Sequence, residues 1–338
     1  MALNIGIVGL GFMGTTHLQA YTEIPAAHVI AVASSDARKR AGDLTAITGN
    51  LNRQRLLIDF SEFSLHSNPQ SLFDDPTVDA VDLCVPTHLH ASLTIAALQA
   101  GKHVLVEKPM ALNTHECDKM IATAKSKEKV LMVAHVLRYW PEYVTARDWI
   151  RGNKLGKIHS VSLRRCCACP QWSSWMRDPQ KSGGGIFDLL IHDLDYSLQV
   201  FGYPEAVSAV GHKSLSCGID VVETRLHYPN GPDVTISGGW QTFGKFPFFM
   251  EFTILAERGA LHYRSDGYPL IYHNIDGTSE TLQVNAFDPF QAELQAFISA
   301  SAVGNLAADC LPRDSARSTN IALAMCTSRQ KSGALVRL

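Results

Sequence analysis

Three side chains have types and positions that suit proton transfer beside a reacting carbon. Lys108 follows the apolar run Val104-Leu105-Val106 and Glu107. The run is short and β-branched, as in a buried parallel strand, and Pro109 ends it because proline has no N–H to donate. Asp188 and His192 lie four residues apart, a spacing that puts them on one helix face. A carboxylate beside an imidazole suits a general acid or base near neutral pH.

The Asp188–His192 pair has two other interpretations. Asp195 shares the same helix face, so the three residues could ligate a metal ion, but no further ligand set is obvious and we expect no metal. The pair could also be a plain surface ion pair, although the apolar residues between positions 189 and 194 argue against a fully exposed face. The glycine run 183–185 precedes the helix and would allow close approach of a ligand.

A glycine-rich turn near the N-terminus fits the pattern G-x-G-x-x-G. It follows the apolar run at residues 5–8 and opens a helix, the context that gives this pattern its value. The glycines permit a tight turn and close approach of a pyrophosphate to the helix N-terminus. The candidate cofactor-binding residues of the turn are Gly9, Gly11, Phe12, Met13 and Gly14.

The residues after the second strand decide which dinucleotide fits. An acid usually binds the ribose 2′-hydroxyl of NAD there, but the expected position holds Ser34 or Ser35. Asp36 comes later and has the type of a helix N-cap. Small hydroxyls followed by Arg38 suit a 2′-phosphate, so we expect NAD(P), with NADP favoured over NAD. NAD binding with Asp36 turned inward, or a solvated face at residues 38–40, stays open.

Strands and helices alternate through residues 1–134, which predicts an α/β fold with a doubly wound parallel sheet of the Rossmann type. The expected strands are residues 5–8, 29–33, 80–85, 104–106 and 130–134. Residues 135–338 read as a second, α+β domain with a largely antiparallel sheet. Its expected strands are residues 158–169, 206–211, 221–228, 234–239, 248–255, 260–264, 270–272 and 281–284. Two helices, residues 290–303 and 313–328, end the chain.

Composition limits the class of protein. The chain has 338 residues, 46% of them hydrophobic and 18% charged, with a net charge of −2. These values fit a globular protein and give no support to a nucleic-acid partner. No apolar stretch approaches the length of a membrane span, and residues 1–4 lack a secretory signal, so we expect a cytoplasmic protein. The eight scattered cysteines fit reduced thiols.

Four motifs occur in an order that resembles the Gfo/Idh/MocA family, the glucose–fructose oxidoreductase and inositol dehydrogenase group. They are the glycine-rich turn, the segment 85–90 (V-P-T-H-L-H), the segment 100–109 (A-G-K-H-V-L-V-E-K-P) and the helix carrying Asp188 and His192. The resemblance covers nearly the whole chain. It implies Lys108, Asp188 and His192 as catalytic residues. Further cofactor contacts that it implies are Pro86, Thr87, His90, Glu107 and Lys108.

The resemblance also implies NAD(P)-linked hydride transfer at a hydroxyl or keto carbon of a sugar, polyol or cyclitol. It implies an open-faced second sheet that forms a homo-oligomer, a dimer or a tetramer. The candidate substrate residues are His135, Arg138, Tyr139 and Trp172. Trp172, Trp175 and Trp240 could stack on a sugar ring or could simply pack in the sheet or an interface. Two rival functions stay open: an NAD-dependent glycosidase of the same fold and a non-catalytic sensor.

Overall fold

The computed structural model describes residues 2–49 and 56–338, which form two compact units. The first unit comprises Met1–Val136 and Asp288–Ala316, and the second comprises Leu137–Phe287 and Arg317–Leu338. The first segment of the first unit therefore ends two residues after the domain boundary that the sequence predicts at residue 134. The chain later returns to that unit for one further segment.

The first unit contains a six-stranded, wholly parallel sheet in the order β3-β2-β1-β4-β5-β6. Its strands are β1 Leu3–Val8, β2 Ala27–Ala33, β3 Ser64–His66, β4 Ala80–Leu83, β5 His103–Glu107 and β6 Leu131–Ala134. Its helices are α1 Phe12–Tyr21, α2 Ala37–Arg40, α3 Pro69–Phe73, α4 His90–Gln99, α5 Thr114–Ser126 and α9 Pro289–Val303. This is the doubly wound order of dinucleotide-binding folds, and the sequence prediction of an α/β fold is confirmed.

Apolar residues of the parallel strands form the core of the first unit. Val81, Leu83, Val104 and Val106 are fully buried and pack in one cluster with residues of α4 and α5. Strands covered on both faces need such continuous apolar runs. Because every strand runs the same way, the loops that follow their carboxyl ends emerge at one edge of the sheet.

The second unit contains a nine-stranded sheet in the order β14-β13-β12-β11-β7-β10-β9-β8-β15. Every pairing is antiparallel except that of β7 with β10. Its strands are β7 Ile158–Cys167, β8 Ala206–Ser214, β9 Ile219–His227, β10 Asp233–Trp240, β11 Phe249–Ala256, β12 Gly259–Arg264, β13 Tyr268–Asn274, β14 Ser279–Thr281 and β15 Val336–Arg337. Its helices are α6 Pro141–Arg151, α7 Pro179–Ser182 and α8 Ile191–Phe201, and α10 Pro312–Gln330 passes from the first unit into it.

Three features differ from the sequence expectations. The strands Ser64–His66 and Val336–Arg337 were not predicted, because neither has an alternating or apolar pattern long enough to be recognised. The expected single helix after the glycine run begins instead with a π-helical turn, Ile186–Leu190. No helix among residues 2–49 and 56–338 is long and apolar enough to cross a bilayer.

Candidate functional site

The glycine-rich turn joins β1 to α1 and leaves room at one position only. A β-carbon on Gly14 would lie 1.9 Å from the Gly9 carbonyl oxygen, and one on Gly9 would lie 2.3 Å from the Cys84 carbonyl oxygen. A β-carbon on Gly11 would meet no atom within 4 Å. Gly11 is also the N-cap of α1, and no side chain caps the helix there. The helix start therefore presents amide groups to open space, as an anion requires.

The residues after β2 form a small polar cluster. Asp36 caps α2, and its carboxylate accepts hydrogen bonds from the backbone amides of Arg38 and Lys39, so the predicted N-cap is confirmed. Arg38 pairs with Asp43 at 2.6 Å, which raises the pKa of its exposed guanidinium. Arg40 donates through Nη1 to the Ser34 carbonyl oxygen at 2.5 Å. Arg40 is thus a second cation at this strand end, while Ser35 is exposed.

His90 joins the loops that follow β4 and β5. Its Nδ1 lies 2.8 Å from the Pro109 carbonyl oxygen and its Nε2 lies 2.9 Å from the Val85 carbonyl oxygen. Burial lowers the pKa of the ring, and a neutral ring donates to only one of the two carbonyls at a time. His90 therefore connects the loop carrying Pro86 and the buried Thr87 to the loop carrying Lys108.

Lys108 lies directly after the end of β5 and is partly exposed, whereas Glu107 before it is buried. The Lys108 backbone N–H donates to Glu107 Oε2 at 3.0 Å. This contact fixes the turn of the backbone where the strand ends. The structure thus holds the lysine on a rigid strand end, as the sequence predicts, and its side chain reaches the surface.

A buried cluster of ionisable groups lies behind Glu107. His17 of α1 is fully buried, and its Nδ1 lies 2.8 Å from Asp82 Oδ2. Its Nε2 lies 3.4 Å from Glu107 Oε1. The Cys84 thiol lies 3.4 Å from Asp82 Oδ1, to which it donates. Both carboxyl oxygens of Asp82 are therefore used.

The buried neighbours in this cluster change the pKa values of the His17 ring and the Cys84 thiol. Burial alone would lower the pKa of His17, but the charge of Asp82 and the hydrogen bond to it outweigh burial and hold that pKa well above its usual value. Burial raises the pKa of the Cys84 thiol. The residue types His17, Asp82 and Cys84 could also ligate a metal. The 2.8 Å contact of ring and carboxylate is a hydrogen-bond distance, however, whereas two ligands of one ion stand roughly 3–3.5 Å apart when each bond is about 2 Å long.

In the second unit, Asp188 and His192 lie within an otherwise buried segment. Every residue from 184 to 198 is buried except these two. Asp188 is in the π-helical turn and accepts a hydrogen bond from Trp240 Nε1 at 3.2 Å. His192 is in the first turn of α8. The predicted pair is therefore partly exposed, and it lies at a π-helical to α-helical junction rather than on one regular helix.

The glycines before this segment are anchored by an acid that the sequence analysis missed. Asp220 of β9 has a fully buried side chain and accepts the Gly185 N–H at 2.8 Å. Its other oxygen lies 2.6 Å from Arg329 Nη1. A β-carbon on Gly184 would lie 2.2 Å from Asp220 Oδ2, so glycine is needed for this approach. Asp220 fixes the start of the turn that carries Asp188.

Two buried ion pairs fix the rotation of α8 about its axis. Arg165 of β7 binds Asp193 through Nε at 2.7 Å and Nη2 at 3.0 Å. Arg138 binds Asp195 through Nε at 2.8 Å and Nη2 at 2.7 Å. Both pairs are two-pronged, the geometry that defines an orientation best. Because Asp193 and Asp195 are held in the interior, His192 is kept at the partly exposed position of the helix.

The candidate substrate residues are not alike. Arg138 is buried, and its guanidinium pairs with Asp195 in the interior. Because Asp195 makes this ion pair, it does not fit the suggested metal site with Asp188 and His192. His135 is buried and Tyr139 is partly buried. Trp172 is 43% exposed. Their role in binding substrate stays a prediction.

The suggestion that Trp240 stacks on a sugar is wrong. Its side chain is fully buried in a cluster with Cys167, Cys169, Met176 and Leu189, and its indole N–H faces Asp188. Partly buried Trp175 packs against the same cluster. Packing in the sheet, the other interpretation of these tryptophans, therefore applies to both of them.

Three residues that were not predicted nevertheless have a recognisable signal in the sequence. Asp82 is a charged residue inside the apolar run at 80–85, and a charge in a buried strand needs a partner. His17 lies three residues beyond the last glycine of the turn, on a helix face of small and apolar residues. Asp220 left a similar signal, since it precedes two valines at a strand start, but nothing in the sequence indicates its contact with the glycine run.

Comparison with protein-family models assigns both halves of the chain. Residues 3–135 match the model described as "Oxidoreductase family, NAD-binding Rossmann fold". Residues 143–262 match the "GFO/IDH/MocA C-terminal domain". The chain belongs to the Gfo/Idh/MocA family. The resemblance expected from the order of the motifs is thereby confirmed.

Curated Gfo/Idh/MocA relatives include a levoglucosan dehydrogenase of Pseudarthrobacter phenanthrenivorans, 33% identical over 62% of this chain and 53% of the relative. A myo-inositol 2-dehydrogenase of Thermotoga maritima is 29% identical over 59% of this chain and 55% of the relative. The match thus spans about half the length of these relatives. A solved structure of levoglucosan dehydrogenase with NADH and L-sorbose superposes with a TM-score of 0.86 at 23% identity, covering 100% of this chain and 99% of that one. It establishes the same fold.

Proposed function

We propose that this protein is an NAD(P)-dependent oxidoreductase that transfers hydride between nicotinamide and a hydroxyl or keto carbon of a sugar, polyol or cyclitol. The main support is that Asp188 and His192 are the two partly exposed residues in the otherwise buried segment 184–198. A helix that serves only packing has no reason to present an acid and an imidazole at the two positions left open. The names of the curated relatives, which are sugar and cyclitol dehydrogenases, support the substrate class.

The first unit fits the cofactor. The Gly9–Gly14 turn leaves open space in front of the uncapped start of α1, where a pyrophosphate would bind to backbone amides. Phe12 and Met13 begin that helix, and Pro86, Thr87 and Glu107 lie at the same edge of the sheet. When bound, the nicotinamide accepts or donates the hydride.

The protein's own side chains handle the proton. During oxidation of an alcohol, His192 accepts the hydroxyl proton as the C–H bond gives up its hydride, and Asp188 orients the ring. Lys108 hydrogen-bonds to the substrate oxygen and stabilises its developing negative charge. In reduction, the same groups return the proton to the carbonyl oxygen. Lys108 and His192 could exchange these roles, and a pH profile of each variant separates the two assignments.

We propose NADP as the preferred cofactor. Asp36 uses its carboxylate to cap α2, so it is engaged with its own helix rather than turned toward a ribose. Arg40 adds a cation beside Ser34, at a stretch that the sequence left open as a solvated face. Arg38 is less suited than expected because Asp43 already pairs with it. Weaker binding of NADPH in Arg40→Ala than in Arg38→Ala would fit this assignment.

The second sheet is the proposed contact between copies of the chain. Burial alternates along β9, so one face of the strand is covered and the other is open. On β8, β9 and β10 a shallow surface is lined by residues that include Val210, Glu223, Arg225 and Thr235. A mixture of hydroxyl, charged and apolar groups suits a self-complementary interface. Light scattering at several protein concentrations tests for a dimer or tetramer. The cytoplasmic location of the protein stays a prediction.

Two variants and two controls test the function. Lys108→Ala and His192→Ala should each lower kcat/KM by a factor equivalent to at least about 2–3 kcal/mol of transition-state stabilisation. Lys119→Ala and His159→Ala replace exposed residues of the same types and should behave as the parent protein. A thermal-shift titration with NADH and NADPH first ranks the cofactors, and a panel of polyols and keto-sugars then finds the substrate. Unchanged turnover in either catalytic variant on the true substrate would contradict the proposal.

A further inference from the structure

The buried His17 ring faces two carboxylates with its two nitrogens. Nδ1 lies 2.8 Å from Asp82 and Nε2 lies 3.4 Å from Glu107. A neutral imidazole has one N–H and one lone pair, so it would direct a lone pair at one of the two carboxylates. Only the imidazolium carries an N–H on both nitrogens, so that Nδ1 donates to Asp82 while Nε2, which makes no hydrogen bond, faces Glu107 as an ion pair. The raised pKa of His17 agrees with this protonation state.

Glu107 contacts both the His17 ring and the backbone of Lys108. One carboxyl oxygen of Glu107 faces His17, and the other accepts the Lys108 backbone N–H at 3.0 Å. A carboxylate held at both oxygens has one orientation, and the backbone at the end of β5 is held with it. The path from α1 to Lys108 therefore needs only one side chain, that of Glu107.

We propose that His17 is a positioning residue that sets the backbone and reach of Lys108 through Glu107. The ring lies on α1, whose first residues form the open phosphate-binding turn. The same helix therefore binds the cofactor phosphates at its first residues and, through His17 in its second turn, positions Lys108. The catalytic part of this role rests on the proposed function of Lys108, whereas the mechanical part does not.

The amides of asparagine and glutamine separate the two contacts of the ring. The amide nitrogen of asparagine superposes on Nδ1 of histidine and that of glutamine on Nε2. His17→Asn therefore keeps a donor to Asp82 and removes the contact with Glu107, while His17→Gln places an N–H beside Glu107 and removes the donor to Asp82. His103→Asn is the matched control. That ring lies on the same strand as Glu107, and asparagine can keep the acceptor that its Nδ1 offers to the Val130 amide.

The mechanical role of His17 is tested by the rate of hydrogen exchange at the Lys108 amide. The rate is measured without ligand by residue-resolved mass spectrometry. His17→Asn should speed this exchange about tenfold because Glu107 loses its contact with the ring, and His17→Gln should stay within about threefold of the parent. His103→Asn should not change it. Equal exchange in the two His17 variants, or exchange like that of the parent in His17→Asn, would overturn the proposal.

Steady-state kinetics test the effect of His17 on catalysis. His17→Asn should lower kcat about tenfold or more with little change in cofactor KM, and His17→Gln should recover most of the loss. In a Glu107→Ala background, His17→Asn should add no further loss, since the two act in series. Additive losses would refute the path through Glu107. If the parent protein turns over no substrate, the proposed function fails while the exchange result still decides the mechanical role.

A measurement on the parent protein covers the case in which His17→Asn does not fold. Nitrogen NMR of the histidine rings at pH 7 should show His17 protonated on both nitrogens. A neutral ring at that pH would overturn the proposal.

Discussion

Gly11→Ala should weaken cofactor binding at least about a hundredfold without harming the fold. The backbone at Gly11 has φ −91° and ψ −163°, which alanine adopts freely, and its β-carbon would meet no protein atom within 4 Å. The substitution should leave the free protein as stable as before, or up to about 1 kcal/mol more stable, because alanine restricts the unfolded chain. The new methyl group occupies the space in front of α1 that the pyrophosphate needs.

The loss of affinity follows from the contacts that would be displaced. Two charge-assisted hydrogen bonds from helix amides to a phosphate contribute about 1.5–3 kcal/mol each, so the dissociation constant should rise at least about a hundredfold. At a ligand concentration a hundred times the parent's dissociation constant, binding stabilises the parent by about 2.7 kcal/mol. That corresponds to roughly 5–10 °C in Tm for a domain of 150–250 residues. In the variant the same concentration gives about 0.4 kcal/mol, a shift of roughly 1–2 °C.

A thermal-shift assay with and without NADPH and NADH measures both quantities. Gly14→Ala is the contrasting variant, since its β-carbon would lie 1.9 Å from a backbone oxygen and should lower Tm before any ligand is added. A ligand-induced shift in Gly11→Ala equal to that of the parent would refute the position of the pyrophosphate. A lower Tm of ligand-free Gly11→Ala would refute the open space in front of the helix.

Three further outcomes are expected. Trp240→Phe should lower kcat about tenfold because Asp188 loses its indole donor, and the change in Tm separates this effect from lost packing. Arg165→Met should lower the free energy of unfolding by about 3–5 kcal/mol, since it leaves the charge of Asp193 buried alone, and adding Asp193→Leu should restore much of it in urea unfolding. Since the folded pKa of His17 is raised, its contribution to stability is complete below pH 6.5 and is lost as pH rises through the folded pKa; His17→Gln should remove that part of the pH dependence of unfolding.

Local sequence rules predicted the features that depend on neighbours along the chain. The glycine turn, the end of β5 at Lys108 and the cap of α2 by Asp36 each follow from a few adjacent residues, and the structure has all three. The parallel sheet followed from the alternation of strand and helix, because short connections leave few other arrangements. The order of motifs then led to the family.

Contacts between distant residues could not be predicted in this way. His17 and Asp82 are 65 residues apart, and Asp220 binds an amide 35 residues earlier. Nothing local tells a buried tryptophan with a polar partner from one that stacks on a ligand, so the sequence left both interpretations of Trp240 open. The π-helical turn at Ile186–Leu190 was missed because one additional residue per turn leaves no clear periodic signal.

The segment Asp288–Ala316 has a consequence for synthesis of the chain. Its helix α9 packs on α1, and Phe290 lies 6.4 Å, centroid to centroid, from the His17 ring. A ribosome adding about 5–20 residues per second needs roughly 10–40 s to pass from residue 136 to residue 316. During that time the parallel sheet can form, but the buried charges around His17 still lack their cover. The first unit is therefore completed only after most of the second unit has been made.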